Sequence, residues 1–138
     1  MKRVLLTGAS GFIGRNCIGP LAARGYEVHA ISSRHLAGDP AATWHHADLL
    51  DTSVIPALVR EVRPTHLLHM AWDATPGKYW TSIENLRWVV SSLALFHAFA
   101  ETGGTRIVAA GTCAEYEWRG GVCSEEETPL IPATPYGI

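Results

Sequence analysis

Residues 4–14 read Val4-Leu5-Leu6-Thr7-Gly8-Ala9-Ser10-Gly11-Phe12-Ile13-Gly14, an apolar run followed by glycines at every third position. The run has the composition of a buried strand, and the residues from Phe12 onward have the apolar spacing of a helix. Between them, Gly8 permits a tight turn. Gly11 lets backbone N–H groups approach a phosphate without a side chain in the way, and Gly14 lets the helix lie close to the strand. Ser10, Phe12 and Ile13 supply the remaining backbone of the cradle. A pyrophosphate held there would face the positive end of the helix dipole and its unpaired amides. The stretch predicts a strand–turn–helix unit with a dinucleotide site at the turn.

Working outward, strand-like and helix-like segments alternate. A helix is expected over 12–24, with Gly25 as its stop. Strands follow at 28–31 and 44–47, then a helix at 53–62 ended by Pro64. A fourth strand is expected at 65–71, a long helix at 81–101 closed by Gly103-Gly104, a fifth strand at 106–110, and a loop from there onward. Alternation of this kind builds an α/β fold: a doubly wound, Rossmann-type parallel sheet of about five strands with helices on both faces.

Composition narrows the class. At 138 residues and 47% hydrophobic content the chain suits one domain with a real core. A net charge of −2 gives no reason to expect nucleic acid or an anionic membrane as partner. No apolar stretch is long enough to span a bilayer. Lys2 and Arg3 precede an apolar run that meets Thr7 and Gly8 too early for a signal-peptide core. Cys17, Cys113 and Cys123 are odd in number and lack metal-ligand spacing, which fits a reduced, cytoplasmic setting.

The end of the second strand selects the cofactor in such folds. A carboxylate there favours NAD through the ribose 2′-hydroxyl, and a basic cluster favours the 2′-phosphate of NADP. This chain has Ser32-Ser33-Arg34, and no carboxylate until Asp39. A forked guanidinium and two hydroxyls suit phosphate, so NADP is expected, with NAD the alternative.

At this point the chain resembles the extended short-chain dehydrogenase/reductase family of NAD(P)-dependent nucleotide-sugar epimerases, dehydratases and reductases. The Thr7–Gly14 segment is similar to the family's glycine motif, and Asp48-Leu49 to its adenine-contacting pair after the third strand. His69-Met70-Ala71-Trp72 resembles the segment that passes beside the cofactor. Asn85 matches an asparagine of the long helix that supports the cofactor and active site. Ala110-Gly111-Thr112-Cys113-Ala114-Glu115-Tyr116 resembles the segment carrying the catalytic hydroxyl, and Pro135-Tyr136-Gly137 the start of the Tyr-x-x-x-Lys motif. The resemblance implies that Thr112 hydrogen-bonds the reacting oxygen and that Tyr136 is the acid/base. It further implies a nucleotide-sugar substrate and a homodimer through the 81–101 helix. It also implies that Met70, Ala71 and Trp72 line the cofactor.

Two departures qualify that picture. A tyrosine works as acid/base only when neighbouring positive charge lowers its pKa from ~10. The family's lysine would stand at position 140, whereas the lysines present are Lys2 and Lys78. The chain is therefore expected to be a C-terminally truncated cofactor domain without its substrate region, binding weakly and not turning over. A non-catalytic dinucleotide-binding or redox-sensing module is the alternative. The second departure concerns Cys113 and Ala114, which stand where the family's dehydratases carry an Asp-Glu pair. They can supply neither acid nor base, which leaves epimerase or ketoreductase. His66 and His69, three apart in a strand, point to opposite faces and make a poor metal pair. Trp72, Tyr79 and Trp80 can stack on a ligand or pack the loop. Glu125-Glu126-Glu127 reads as a solvated face.

Overall fold

The computed structural model of the chain describes residues 2–35 and 38–138. They fall into two compact units. One comprises residues up to Trp72 together with Val90–Ala110, and the other Asp73–Val89 together with Gly111–Ile138.

The first unit carries β1 (Arg3–Thr7), α1 (Phe12–Ala23), β2 (Glu27–Ser32), β3 (Ala42–His46), α2 (Ile55–Val62), β4 (His66–His69) and β5 (Arg106–Ala109). It also holds most of α3 (Glu84–Glu101). The strands form one parallel sheet in the order β3-β2-β1-β4-β5. This is the α/β architecture that the alternation of segments implies.

β1 is the central strand, and its composition follows from that position. A parallel strand covered on both faces reads as a continuous apolar run, and Val4, Leu5 and Leu6 are all buried. Alternation then divides the core. Val4 and Leu6 join Val28, Ala30, Ala9 and Ile18 in a cluster on the α1 side. Leu5, in register with Leu67, belongs to the opposite face, as does Thr7 in register with His69. α2 contributes Ile55, Leu58, Val59 and Val62 to the buried set, and α3 contributes Leu95, Ala98 and Phe99.

Element ends depart from the sequence expectation where side chains seize backbone groups. The strand expected over 65–71 stops at His69, because the amides of Met70 and Ala71 both donate to the Thr7 hydroxyl instead of a strand neighbour. The helix expected from 81 begins at Glu84. Ser82 stays extended and its hydroxyl accepts the Glu84 amide, while Tyr79–Thr81 form a 3₁₀ turn. α2 ends at Val62 with Arg63 left-handed at φ 48°, since Pro64 disfavours a helical residue before it.

The second unit is richer than the open loop the sequence suggests. It has 3₁₀ turns at Cys113–Glu115 and Trp118–Gly120 and an antiparallel bridge between Tyr116 and Leu130. Glu125, Glu126 and Glu127 are exposed, as their run implies.

Leu5 is fully buried at the centre of the sheet. Replacing it with Ala should lower the unfolding free energy by about 3 kcal/mol, through lost burial and a cavity that flanking strands cannot close. Urea denaturation measures this, and a loss below about 1 kcal/mol would contradict the assignment of β1 as the core strand.

Candidate functional site

The turn after β1 is built around two glycines. Gly8 has φ +64°, and a Cβ there would lie 2.7 Å from the Met70 carbonyl carbon and 2.8 Å from the Ala71 nitrogen. A Cβ on Gly14 would collide with the Gly8 carbonyl, so only glycine lets α1 start this close to β1. The Gly11 amide donates to the Gly8 carbonyl at 2.9 Å and closes the turn. Gly11 then occupies the N-cap of α1 with no side-chain cap, and the first turn contains no acid. The amides of Phe12, Ile13 and Gly14 therefore lack intrahelical partners at the positive end of the dipole. Phe12 and Ile13 are exposed there.

A hydrogen-bond chain fixes the strand end beneath this turn. The buried Thr7 Oγ1 accepts the Met70 and Ala71 amides, each at 3.1 Å, and lies 2.7 Å from His69 Nδ1. With both lone pairs occupied, the Thr7 hydroxyl donates to Nδ1, which places the imidazole proton on Nε2. Nε2 in turn donates to the Ser92 hydroxyl of α3 at 2.9 Å. The Phe96 ring packs edge-on to the imidazole with centroids 5.5 Å apart. Burial holds the His69 pKa down at about 4, so the ring is neutral. His66 lies on the other face of β4, edge-on to Tyr26, so the two histidines do point to opposite faces. Among the described residues no cluster of three or more metal-ligating side chains occurs. No motif marks His69 as a tether; the one signal for it is its register opposite Thr7 at two strand ends.

At the end of β2, Ser32 is buried and Arg34 exposed. The Ser32 hydroxyl accepts the Arg34 amide at 3.0 Å and points at Ser10 Oγ, 3.5 Å away. The Arg34 guanidinium reaches the same Ser10 hydroxyl at 3.4 Å, so the cation sits against the glycine turn. Ser33 is exposed and its carbonyl accepts from His46. Asp48 is exposed, its carboxylate accepting the Leu50 amide. Leu49 is buried, and its carbonyl accepts the Ser91 hydroxyl of α3. Met70, Ala71 and Trp72 are half-buried.

The remaining candidates lie in the second unit. Thr112 caps the 3₁₀ turn at Cys113–Glu115, its hydroxyl accepting the Ala114 amide at 3.2 Å. Gly137 is buried with a would-be Cβ 2.5 Å from the Ala114 carbonyl oxygen, so the Pro135–Gly137 segment lies directly on that turn. Tyr136 is the middle residue of that segment. Its ring packs edge-on to Tyr79 and Trp80, with centroids 4.6 and 5.7 Å away. Asn85 is fully buried and donates to the Tyr79 carbonyl at 2.7 Å, which anchors the turn carrying those aromatics. Burial and the nearby Glu115 and Glu125 raise the Tyr116 pKa, keeping that phenol protonated.

A strand, a glycine turn and an uncapped helix at one end of a parallel sheet define a Rossmann-type α/β protein. The chain matches the NAD dependent epimerase/dehydratase family over residues 4–138 and belongs to it. It is 28% identical over 162 residues to a GDP-mannose 4,6-dehydratase of Yersinia enterocolitica, a match covering 100% of this chain and 42% of the relative. It is 25% identical over 146 residues to a UDP-glucose 4-epimerase of Lactobacillus helveticus, covering 98% and 43%. Among solved structures, the UDP-glucose 4-epimerase of Thermus thermophilus, in complex with NAD, superposes with a TM-score of 0.78 at 31% identity. That superposition covers 98% of this chain and 46% of the other. The chain thus spans less than half the length of the relatives it matches. No helix of the described residues is long and apolar enough to cross a membrane.

The state of His69 makes stability depend on pH. The unfolded residue titrates near 6.5 and the folded one near 4, so between these values the unfolded chain alone takes up the proton. Stability should therefore fall as pH drops through that window, by up to about 3 kcal/mol. His45, lowered mainly by burial and then by His29, acts in the same direction. Urea unfolding at stepped pH reads the slope, which should shrink in a His69→Leu variant. An unchanged slope in that variant would remove His69 as its source.

Proposed function

We propose that this chain holds a dinucleotide across the Gly8–Gly14 turn and is the cofactor-binding part of a nucleotide-sugar epimerase or ketoreductase. The observation that carries this reading is the cradle itself: Gly8 and Gly14 sit where a Cβ would strike backbone, beneath uncapped first-turn amides. Those residues fit a pyrophosphate. Ser10, Phe12, Ile13 and Gly14 would line its path with backbone donors, Gly11 would leave room for its approach, and an acid in the first turn, which would repel it, is absent. Met70, Ala71 and Trp72 flank the turn on the β4 side, and Asp48 with Leu49 would take the adenine end.

NADP is the preferred cofactor. The Thermus relative was solved with NAD, but in this chain Arg34 stands at the β2 end, already drawn against Ser10. A guanidinium in that position offers two parallel charge-assisted bonds to a 2′-phosphate. Ser32 and Ser33 add hydroxyl donors beside it.

When bound, the cofactor accepts or supplies a hydride at its nicotinamide. The chain's own part is to manage the proton. Thr112 spends one lone pair on the Ala114 amide and keeps its O–H to donate to the substrate's reacting oxygen. Tyr136, held by Tyr79 and Trp80, gives or takes the proton at that oxygen. With Cys113 and Ala114 beyond Thr112, an acid–base pair for dehydration is lacking at those positions.

Self-association is a second part of the proposal. Leu86, Val89, Val90 and Leu93 are exposed at i, i+3, i+4 and i+7 on α3, a stripe suited to isologous pairing with a second copy. The Leu93→Glu variant should run as a monomer in sedimentation equilibrium where the parent runs as a dimer. A parent that stays monomeric over the concentration series contradicts the pairing.

Fluorescence titration tests the cofactor. NADPH should bind more tightly than NADH, and Arg34→Ala should weaken NADPH about tenfold while leaving NADH within about twofold. Tighter NADH in the parent chain would overturn the NADP preference, and binding of neither would overturn the reading.

A further inference from the structure

We propose that His69 is a positioning residue for the dinucleotide turn, acting through Thr7 as the centre of a Ser92–His69–Thr7 hydrogen-bond chain. The inference rests on the turn being the cofactor site, and it assigns a role to a residue that would not itself touch the cofactor.

The geometry is over-determined. Thr7 Oγ1 can accept two bonds and donate one, and all three are used: the Met70 and Ala71 amides at 3.1 Å, and His69 Nδ1 at 2.7 Å. The Ala71 amide belongs to the Met70–Ala71 peptide, which would strike a Cβ on Gly8. The rotamer of Thr7 therefore sets how closely the β4 end rides over the turn. His69 sets that rotamer, because only an unprotonated Nδ1 can accept the threonine proton. Ser92 completes the selection by accepting the Nε2 proton at 2.9 Å, tying the imidazole to α3.

Among the described residues, the groups that face His69 offer no competing charge. His69 is 5% exposed. It is faced by Thr7 from β1, by Ser92 and Phe96 from α3, and by its register partner Ala109 from β5. None of these is charged, and burial is the sole cause of its lowered pKa. A protonated ring would present a third donor to an oxygen whose lone pairs are already filled, and the clamp on Met70 and Ala71 would open. The proposed consequence is a turn preset in its binding geometry as long as His69 is neutral.

Three variants, His69→Leu, His69→Asn and Ser92→Ala, test this in the 138-residue chain. Each is titrated with NADPH and NADH at neutral pH in parallel with urea unfolding, so affinity is read only where the protein is folded. Leucine removes the acceptor for Thr7 and should weaken dinucleotide binding about tenfold; it should also accelerate hydrogen exchange at the Met70 and Ala71 amides. Asparagine, whose carbonyl can stand in for Nδ1, should recover binding to within about threefold of the parent. Ser92→Ala frees the tautomer and should give an intermediate loss, with ring ¹⁵N shifts reporting a mixed tautomer. It also keeps the proposal testable where the leucine variant does not fold.

A residue that only stabilises the sheet would lower the urea midpoint in all three variants while leaving the folded protein's affinity unchanged. That result, or an asparagine variant binding no better than leucine, overturns the positioning role. A parent chain that binds neither dinucleotide instead overturns the cofactor reading on which the role rests.

Discussion

The structure of the first unit depends on one oxygen atom. Thr7 Oγ1 sits at the end of the central strand with every hydrogen-bonding position filled. Two of its partners are main-chain amides from a strand end 63 and 64 residues away in sequence. Two part-buried amides would lose their acceptor at once, so removing this hydroxyl would cost more than one ordinary hydrogen bond. A serine could keep the bonds but would lose the β-branch that restricts the rotamer. The threonine follows three buried aliphatic residues, and its hydroxyl marks where the sheet stops behaving as core and begins to shape a binding surface.

From that oxygen the rest of the turn follows by exclusion. Because Met70 and Ala71 are pulled toward Thr7, they press on residue 8, and a side chain there has no space. Because Gly8 turns with positive φ, its carbonyl lies where α1 must begin, and position 14 is closed to a Cβ as well. The helix consequently starts at a glycine N-cap without a side-chain acceptor, at a cost of only about a few tenths of a kcal/mol relative to a serine or aspartate cap. The glycine at position 14 inside the helix and the exposure of Phe12 and Ile13 argue locally against such a start. A conflict between local preference and global fold is what a functional site produces, since donors left without internal partners remain available to a ligand.

The sheet, its strand identities and the glycine turn are legible in the sequence because they rest on short-range signals: apolar runs, breakers and spacing. Element ends are less legible. A β4 strand extended to residue 71 is a fair reading of His66-Leu67-Leu68-His69-Met70-Ala71. Nothing local says that Met70 and Ala71 turn away, because the group that turns them lies at Thr7. Likewise the start of α3 is set by the Ser82 hydroxyl and by the 3₁₀ turn before it, not by the apolar spacing of the helix. The 111–138 segment reads as a loop because its order comes from side-chain caps and one bridge, neither of which has a period. Asn85 illustrates the limit well. Its match to a supporting asparagine is readable, but its anchor on the Tyr79 carbonyl is not.

Thr112 shows why a structural role and the proposed chemical one need not compete. A hydroxyl has two lone pairs and one proton, and capping the turn after β5 consumes a single lone pair. The cap fixes the side chain in one rotamer and leaves the proton to be donated, which is what a group that must meet a developing negative charge requires. Gly137 makes the same argument from the other side. Its close approach to the Ala114 carbonyl brings the Tyr136 backbone onto the turn that Thr112 caps, while Tyr79 and Trp80 hold the phenol ring from its flanks. Packing thus orients both side chains in advance, which under the proposed function would lower the entropy cost of meeting a substrate. The same logic recurs in each unit taken by itself: a threonine hydroxyl that accepts backbone amides gives an irregular segment one geometry.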